Sequence, residues 1–301
     1  MLVHPTKFLS SPLKAGFLAL PKSLDFSATQ AQNFSGTRKR RLKMKRLCLV
    51  LFVFGSIVAF GQSAFDGTWK GNPQSAEFKG NDKYSLQGSM YRCDTCVPKI
   101  AVKADGQDHA VSGSPYIDTT NVLEVNDHTV QITSKKNAKP VGSTKMTVSE
   151  DGKTLTTEWS FISESGKEGS GKTVSERVGE ATAGASKISG TWRPGKVEDI
   201  SASVITITFK ATADGLSMSD PIGDSYTAKF DGKDYPYKGD PGTTSVSLKR
   251  IDANTIEETD KRNGRVTAVI HMTVSADGKT MKFAITDKLH NTTANWMAEK
   301  Q

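Results

Sequence analysis

Along residues 280–286 the chain alternates, with Met281, Phe283 and Ile285 on one face and Thr280, Lys282, Ala284 and Thr286 on the other. A period of two puts one face against a core and leaves the other to water, which predicts a half-buried β-strand. SVSLKRI, TIEETDK, RVTAVIHMTVS and TTANWMAE read the same way, separated by DAN, RNG and ADG. Asn-Gly and Asp-Gly between β-rich runs predict tight hairpins, because Gly, Asn and Asp tolerate the positive φ that such turns demand. No stretch beyond residue 62 sustains a helical period. The best short window is KVEDISASV at 196–204, after Pro194.

The strand pattern occurs twice. TVSEDGKT at 147–154 returns as TVSADGKT at 273–280, and NDHTVQITSKKN at 126–137 is echoed by DANTIEETDKRN at 252–263. DGQDHAVSGSP from Asp105 is echoed by DGKDYPYKGDP from Asp231, so these three pairings share an offset of 126 residues. The Gly67-Thr68-Trp69 and Gly190-Thr191-Trp192 pair is offset by 123. A unit of that length is a duplicated domain rather than a solenoid repeat, whose units run to about 20–50 residues. Asp151-Gly152 and Asp277-Gly278 are then the same hairpin turn in two copies. The predicted organisation is one β-domain over 65–178, a small-residue linker GEATAGASK at 179–187, and a second β-domain over 188–301. Each copy would hold about eight short strands, an all-β antiparallel meander suited to a small barrel, which removes its own edges by closing.

Net charge is +8 over 301 residues, but its distribution matters more. Residues 1–61 hold ten of the 40 Lys and Arg and one of the 32 acids, leaving 30 basic against 31 acidic residues in 62–301. That balance argues against a nucleic-acid partner. The basic residues belong to a leader. From Met44, MKRLCLVLFVFGSIVAFGQSA has a charged start, a short apolar run and small residues at Ala59 and Gly61, the pattern of a secretory signal over 44–61. The apolar run is short for a bilayer span, which takes about 20 residues. Residues 1–43, Pro-broken and ending in RKRRLK, read as an over-extended start or a disordered leader.

The Gly-x-Trp openings at Gly67, Trp69, Gly190 and Trp192, each followed by a meander, resemble the lipocalin and fatty-acid-binding barrels. The chain also resembles uncharacterised secreted bacterial proteins that carry duplicated lipocalin-like domains with VSADGKT hairpins, over nearly all of 65–301. In such barrels the Trp closes one end, often under an Arg from a late strand. The resemblance implies that role for Arg177, in TVSERV, in copy one, and TTANWMAE in copy two has no matching Arg.

Candidate chemistry is sparse. Cys93 and Cys96, in YRCDTCVP, are the cysteines that follow the signal segment. They read as a local disulfide in an oxidising compartment, as a redox pair, or as half of a metal site lacking its other two ligands. The Asp-Gly loops lack the spaced oxygen donors of a calcium loop. His109 and His128 are replaced by Tyr235 and Asn254 in the second copy, and no catalytic set emerges. The expected protein is exported to the periplasm or the cell exterior and is non-catalytic. It would bind a small apolar ligand or an envelope protein, without cofactor, metal or nucleic acid, and without membrane association after signal removal. Two alternatives stand beside it: a thiol–disulfide protein acting through Cys93 and Cys96, and a structural or adhesion module with packed barrels.

Overall fold

The computed structural model describes residues 63–301; the leader and signal readings lie outside the described residues. Copy one supplies strands β1 (Gly67–Lys79), β2 (Asp82–Gln87), β3 (Met90–Cys93), β4 (Ile100–Lys103), β5 (Asp105–Ala110), β6 (Thr119–Asn126), β7 (Thr129–Lys136), β8 (Lys139–Val148), β9 (Thr154–Ile162) and β10 (Glu168–Val178). Copy two supplies β11 (Gly190–Glu198), a helical turn α1 (Ala202–Ile205), β12 (Thr206–Ala211), β13 (Gly215–Ser219), β14 (Ser225–Lys229), β15 (Tyr235–Lys238), β16 (Ser245–Arg250), β17 (Thr255–Arg262), β18 (Arg265–Val274), β19 (Thr280–Asp287) and β20 (Thr292–Lys300). The protein is all-β, built as two ten-stranded antiparallel barrel-like sheets and consistent with a lipocalin-like fold.

Each copy holds ten strands, where the sequence predicted about eight. The excess lies in strands of four or five residues, such as MYRC, IAVK, GLSMS, SYTAK and YPYK, which are too short to show an alternation. The helical window is also partly strand. Residues 196–198 finish β11, and only Ala202–Ile205 turn as a helix, anchored by the buried Val204 and Ile205.

The sheets do not follow the repeat. β1, from copy one, pairs with β12 and β20 and closes the second barrel, in the order β1, β12 through β20. β11, from copy two, pairs with β10 and β2 in the first. The two Gly-x-Trp strands have changed places. The linker 179–187 turns β10 straight back into β11, antiparallel and in register over Val178↔Thr191 and Arg177↔Trp192. Local pairing therefore keeps β11 beside β10, and the vacancy next to β12 and β20 falls to β1. The first barrel is thereby nested within the chain of the second.

The exchanged tryptophans floor the two barrels. Trp69 and Trp192 are both fully buried, and each indole N–H donates to the carbonyl four residues earlier, Phe65 at 2.9 Å and Ile188 at 2.8 Å. Arg177 lies over Trp192, with its guanidinium carbon 4.1 Å from the ring centroid, rather than over Trp69. Its N–H groups donate to the carbonyls of Gly152 (2.6 Å), Ser189 (2.8 Å) and Lys187 (2.5 Å). Trp69 is covered by Lys300, whose Nζ is 5.2 Å from the ring. Lys300 is the counterpart of Arg177, because the two backbone N–H groups reach Lys279 and Lys153 carbonyls at the same point of the duplicated hairpin.

That hairpin is alike in both copies. Gly152 and Gly278 take φ of 71° and 70°, the left-handed region open to glycine. Asp151 and Asp277 accept from the hydroxyls of Ser149 and Ser275 and from the backbone N–H of Lys153 and Lys279. Those serine bonds, above the backbone ones, hold both carboxyls below their ordinary range.

The barrels differ at one seam. The second is closed, whereas the first sheet ends at β4 and β5, which share the corner residue Ala104 but do not pair. Cys93 ends β3 and is joined to Cys96 by a disulfide spanning 5.4 Å between Cα atoms, in the loop that leads to β4.

Candidate functional site at the barrel mouths

Opposite the tryptophan floors the inward side chains turn polar, and the two barrels do so differently. Parity sets which residues point in. On β17, Ile256, Glu258 and Asp260 are buried on one face while Glu257, Thr259 and Lys261 alternate with them. Ile256 sits in the apolar core, so the period of two carries Glu258 and Asp260 inside the barrel, each about 1% exposed. Tyr226 on β14 donates its hydroxyl to Glu258. Tyr237 on β15 donates to Asp224 at 3.3 Å, and Asp240 is buried nearby in the loop after β15. Burial pushes both phenols well up, and the adjoining carboxylates push them further: Glu258 and Asp260 for Tyr226, Asp224 and Asp240 for Tyr237.

The first barrel has the same register and a different lining. Thr120↔Ser134 on β6–β7 matches Val246↔Asp260 on β16–β17, and Ile132↔Thr144 on β7–β8 matches Glu258↔Ile270 on β17–β18. Even the bulge after the inward polar residue, Ser134/Lys135 against Asp260/Lys261, is reproduced. Ser134 stands where the second barrel buries Asp260, and Ile132 stands where it buries Glu258. The first barrel's polar step is made of hydroxyls: Thr120 and Ser134 at 0% and Thr144 at 2% exposure. None of the three oxygens has a hydrogen-bond partner among the described residues.

The mouths meet. Tyr116, before β6, lies so close to Gly242 that a β-carbon there would fall 1.5 Å from its hydroxyl oxygen. Ser165, in the β9–β10 turn, donates to the carbonyl of Ile222 at 2.6 Å, and Phe161, Val204 and Ile222 form an apolar cluster beside it. A further polar group stands where β1 hands over to β2. Asp82, opposite Trp192 in register, has its carboxyl raised by burial to about 6, against the pull of His290 and of a hydrogen bond from Tyr84. His290, in the β19–β20 turn, holds Asp287 at 2.8 Å through Nδ1.

The sequence-predicted residues lie elsewhere. Gly67, Trp69, Gly190, Trp192 and Arg177 gather at the two floors, and Asp151, Gly152, Asp277 and Gly278 form the hairpin turns beside them. Cys93 and Cys96 are 0% and 8% exposed within the first core. In copy two Met218 of β13 fills the position of Cys93, since Cys93 faces Tyr84 as Met218 faces Phe209. Sequence reasoning missed the mouth residues, since an acid in TIEETDK looks like an ordinary solvated strand position. The available signal was the other copy, where Val130, Ile132 and Ser134 occupy the same parity in TVQITSKK. Among the described residues no group of three or more His, Cys, Asp or Glu side chains is placed to hold a metal ion. No protein-family model matches the chain, and no curated protein matches it.

Proposed function

We propose that the chain is an exported, non-catalytic binding protein related to the secreted bacterial proteins with duplicated lipocalin-like domains. Residues 44–61 act as its signal, and the periplasm or cell exterior is its compartment. A small ligand, or an envelope protein reaching into the same place, engages the barrel mouths. The observation that carries this is the contrast within each barrel: an apolar, tryptophan-floored interior ending in a few inward polar groups. Small-molecule sites have that composition, with apolar walls for affinity and sparse polar groups for orientation.

The thiol–disulfide alternative draws no support from the geometry. A redox pair needs an accessible, activated sulfur, and both sulfurs here lie within a packed core. Mass spectrometry under native conditions, on the protein exported to and purified from a bacterial periplasm, tests the proposal. An adduct of a few hundred daltons that leaves on unfolding is expected, on a chain that has lost its signal. A bare chain from periplasm, medium and crude envelope extract alike sinks the reading.

A further inference from the structure

We infer that the hydroxyl step of the first barrel, Thr120, Ser134 and Thr144, is a binding site for an uncharged, hydroxyl-bearing small molecule. The inference rests on the reading that the mouths bind a ligand, and it names the chemistry of one of them.

Three hydroxyls on adjacent strands β6, β7 and β8 point into one interior, and none has a partner among the described residues. A buried hydroxyl left unsatisfied costs about 1–3 kcal/mol, so a row of three is an expense that a packed core avoids. The fold does not require it. At the positions equivalent to Thr120 and Thr144 the second barrel carries Val246 and Ile270, each 0% exposed, in the same register. The same framework in the same chain therefore accepts apolar side chains there, and the first barrel has hydroxyls for another reason.

The surroundings set the ligand's charge. Among the described residues no Lys or Arg is buried in either barrel, so an anion finds no partner. The buried carboxylates belong to the second barrel, and Asp82 in the first lies opposite Trp192, at the floor. That leaves a neutral molecule. Hydroxyls both donate and accept, and so they match the hydroxyls of a sugar-like compound better than a carbonyl or an amide alone.

An aromatic wall adjoins them. Trp159 pairs with Thr144 across β8–β9 and stacks on Phe161, with ring centroids 6.3 Å apart. Gly171 and Gly169 opposite leave room for the two rings, since a β-carbon at either would come within 2.5 Å of them. A ring face beside hydroxyls offers the C–H face of a sugar an apolar bed and its O–H groups their bonds. The three oxygens are shut from solvent, so the ligand enters by parting the mouth where Tyr116 and Ser165 bridge to the second barrel.

The test uses the full chain with 15N-labelled tryptophan, titrated with glucose, N-acetylglucosamine and glycerol, and with glucosamine and glucuronate as charged controls. The Trp159 indole signal, assigned through Trp159→Phe, is expected to shift saturably with at least one uncharged probe. The charged pair should leave it in place. The double variant Thr120→Val, Thr144→Val should bind about tenfold or more weakly, since two of the orienting bonds are gone. It should melt no lower than the parent, because it copies the second barrel and relieves two unsatisfied hydroxyls. An indole signal unmoved by all three probes, or moved equally in the double variant, overturns the inference. So does a high-resolution structure with one water satisfying all three hydroxyls and no response to sugar. If the native mass still shows an adduct in those cases, the binding reading survives and only the ligand class falls.

Discussion

The two barrels are one framework with two interiors, and that comparison separates what the fold needs from what it is free to vary. Floors, hairpins, register and even the bulge positions are held in common. The mouth linings are not: carboxylates under tyrosine hydroxyls in the second, hydroxyls beside an aromatic wall in the first. Nor is the seam, which is paired through β14–β15–β16 in the second barrel and unpaired between β4 and β5 in the first. A feature repeated in both copies is explained by the barrel itself. A feature present once calls for a function or a local reason.

The strand exchange is the sharpest claim in this comparison, and it yields the largest effect. Trp192 belongs to copy two by sequence and to the first barrel by contact. Trp192→Ala should cost about 3–5 kcal/mol, the range for emptying a large aromatic site in a core. Amide exchange monitored by mass spectrometry should rise in 129–178 and leave 255–300 protected. Trp69→Ala should do the reverse. If each substitution loosens its own sequence copy instead, the exchange of β1 and β11 is refuted.

Most of the framework was legible in sequence, and the reasons are local. Alternation in KTMKFAITD and Asp-Gly between β-rich runs are short-range signals, and each predicts a strand or a turn from within a few residues. Repetition then tied the strands into two units. The exchange was not legible, because β1 and β11 carry the same Gly-Thr-Trp signature and either would fit either barrel. Chain connectivity decided between them: the eleven residues 179–189 suffice to fold β11 back on β10, and similarity between copies says nothing about which copy a strand joins. The expected Arg177–Trp69 contact failed for that reason alone, and the cation on Trp69 proved to be Lys300. The mouth was hidden by the parity of β17, where the two acids share a face with Ile256 only once the register is known.

A smaller effect, of roughly 2 kcal/mol, separates the barrels by pH. Asp82 is inside the first barrel, and Ile207 holds the matching position beside Trp69 in the second. The Asp82 carboxyl titrates at about 6 in the folded chain against 3.8 in a free one, because burial disfavours its charged form. Between those values the folded state binds more protons than the unfolded state, so stability falls as pH rises from about 4 to about 6. A shift of two units corresponds to nearly 3 kcal/mol, reduced here because the side chain keeps partial exposure. Asp82→Asn should flatten this segment of the denaturant-midpoint profile and be the more stable protein at pH 7. A parent profile that rises across the same interval would show that the carboxylate is welcome in the fold.

The smallest effect tests whether the two plugs are equivalent. Arg177 and Lys300 occupy the same place in the duplicated hairpin and cover the same indole, but their chemistry differs. The guanidinium is planar and spends its donors on three separate carbonyls while stacking on Trp192. An ammonium cannot span that spread, so Arg177→Lys should cost about 1 kcal/mol through lost bonds and a weaker ring contact. Lys300 sets its ammonium Nζ 5.2 Å from the Trp69 ring centroid, and its Cε would lie 2.8 Å from a β-carbon at Gly67. Lys300→Arg should therefore change stability by less than about 0.5 kcal/mol, a difference that chemical denaturation of the paired variants resolves. Equal costs for the two exchanges would mean that each site is tuned to its own cation. The unequal costs expected here mean that the floor needs only a cationic side chain over the indole, with the three carbonyl bonds an addition particular to the first barrel.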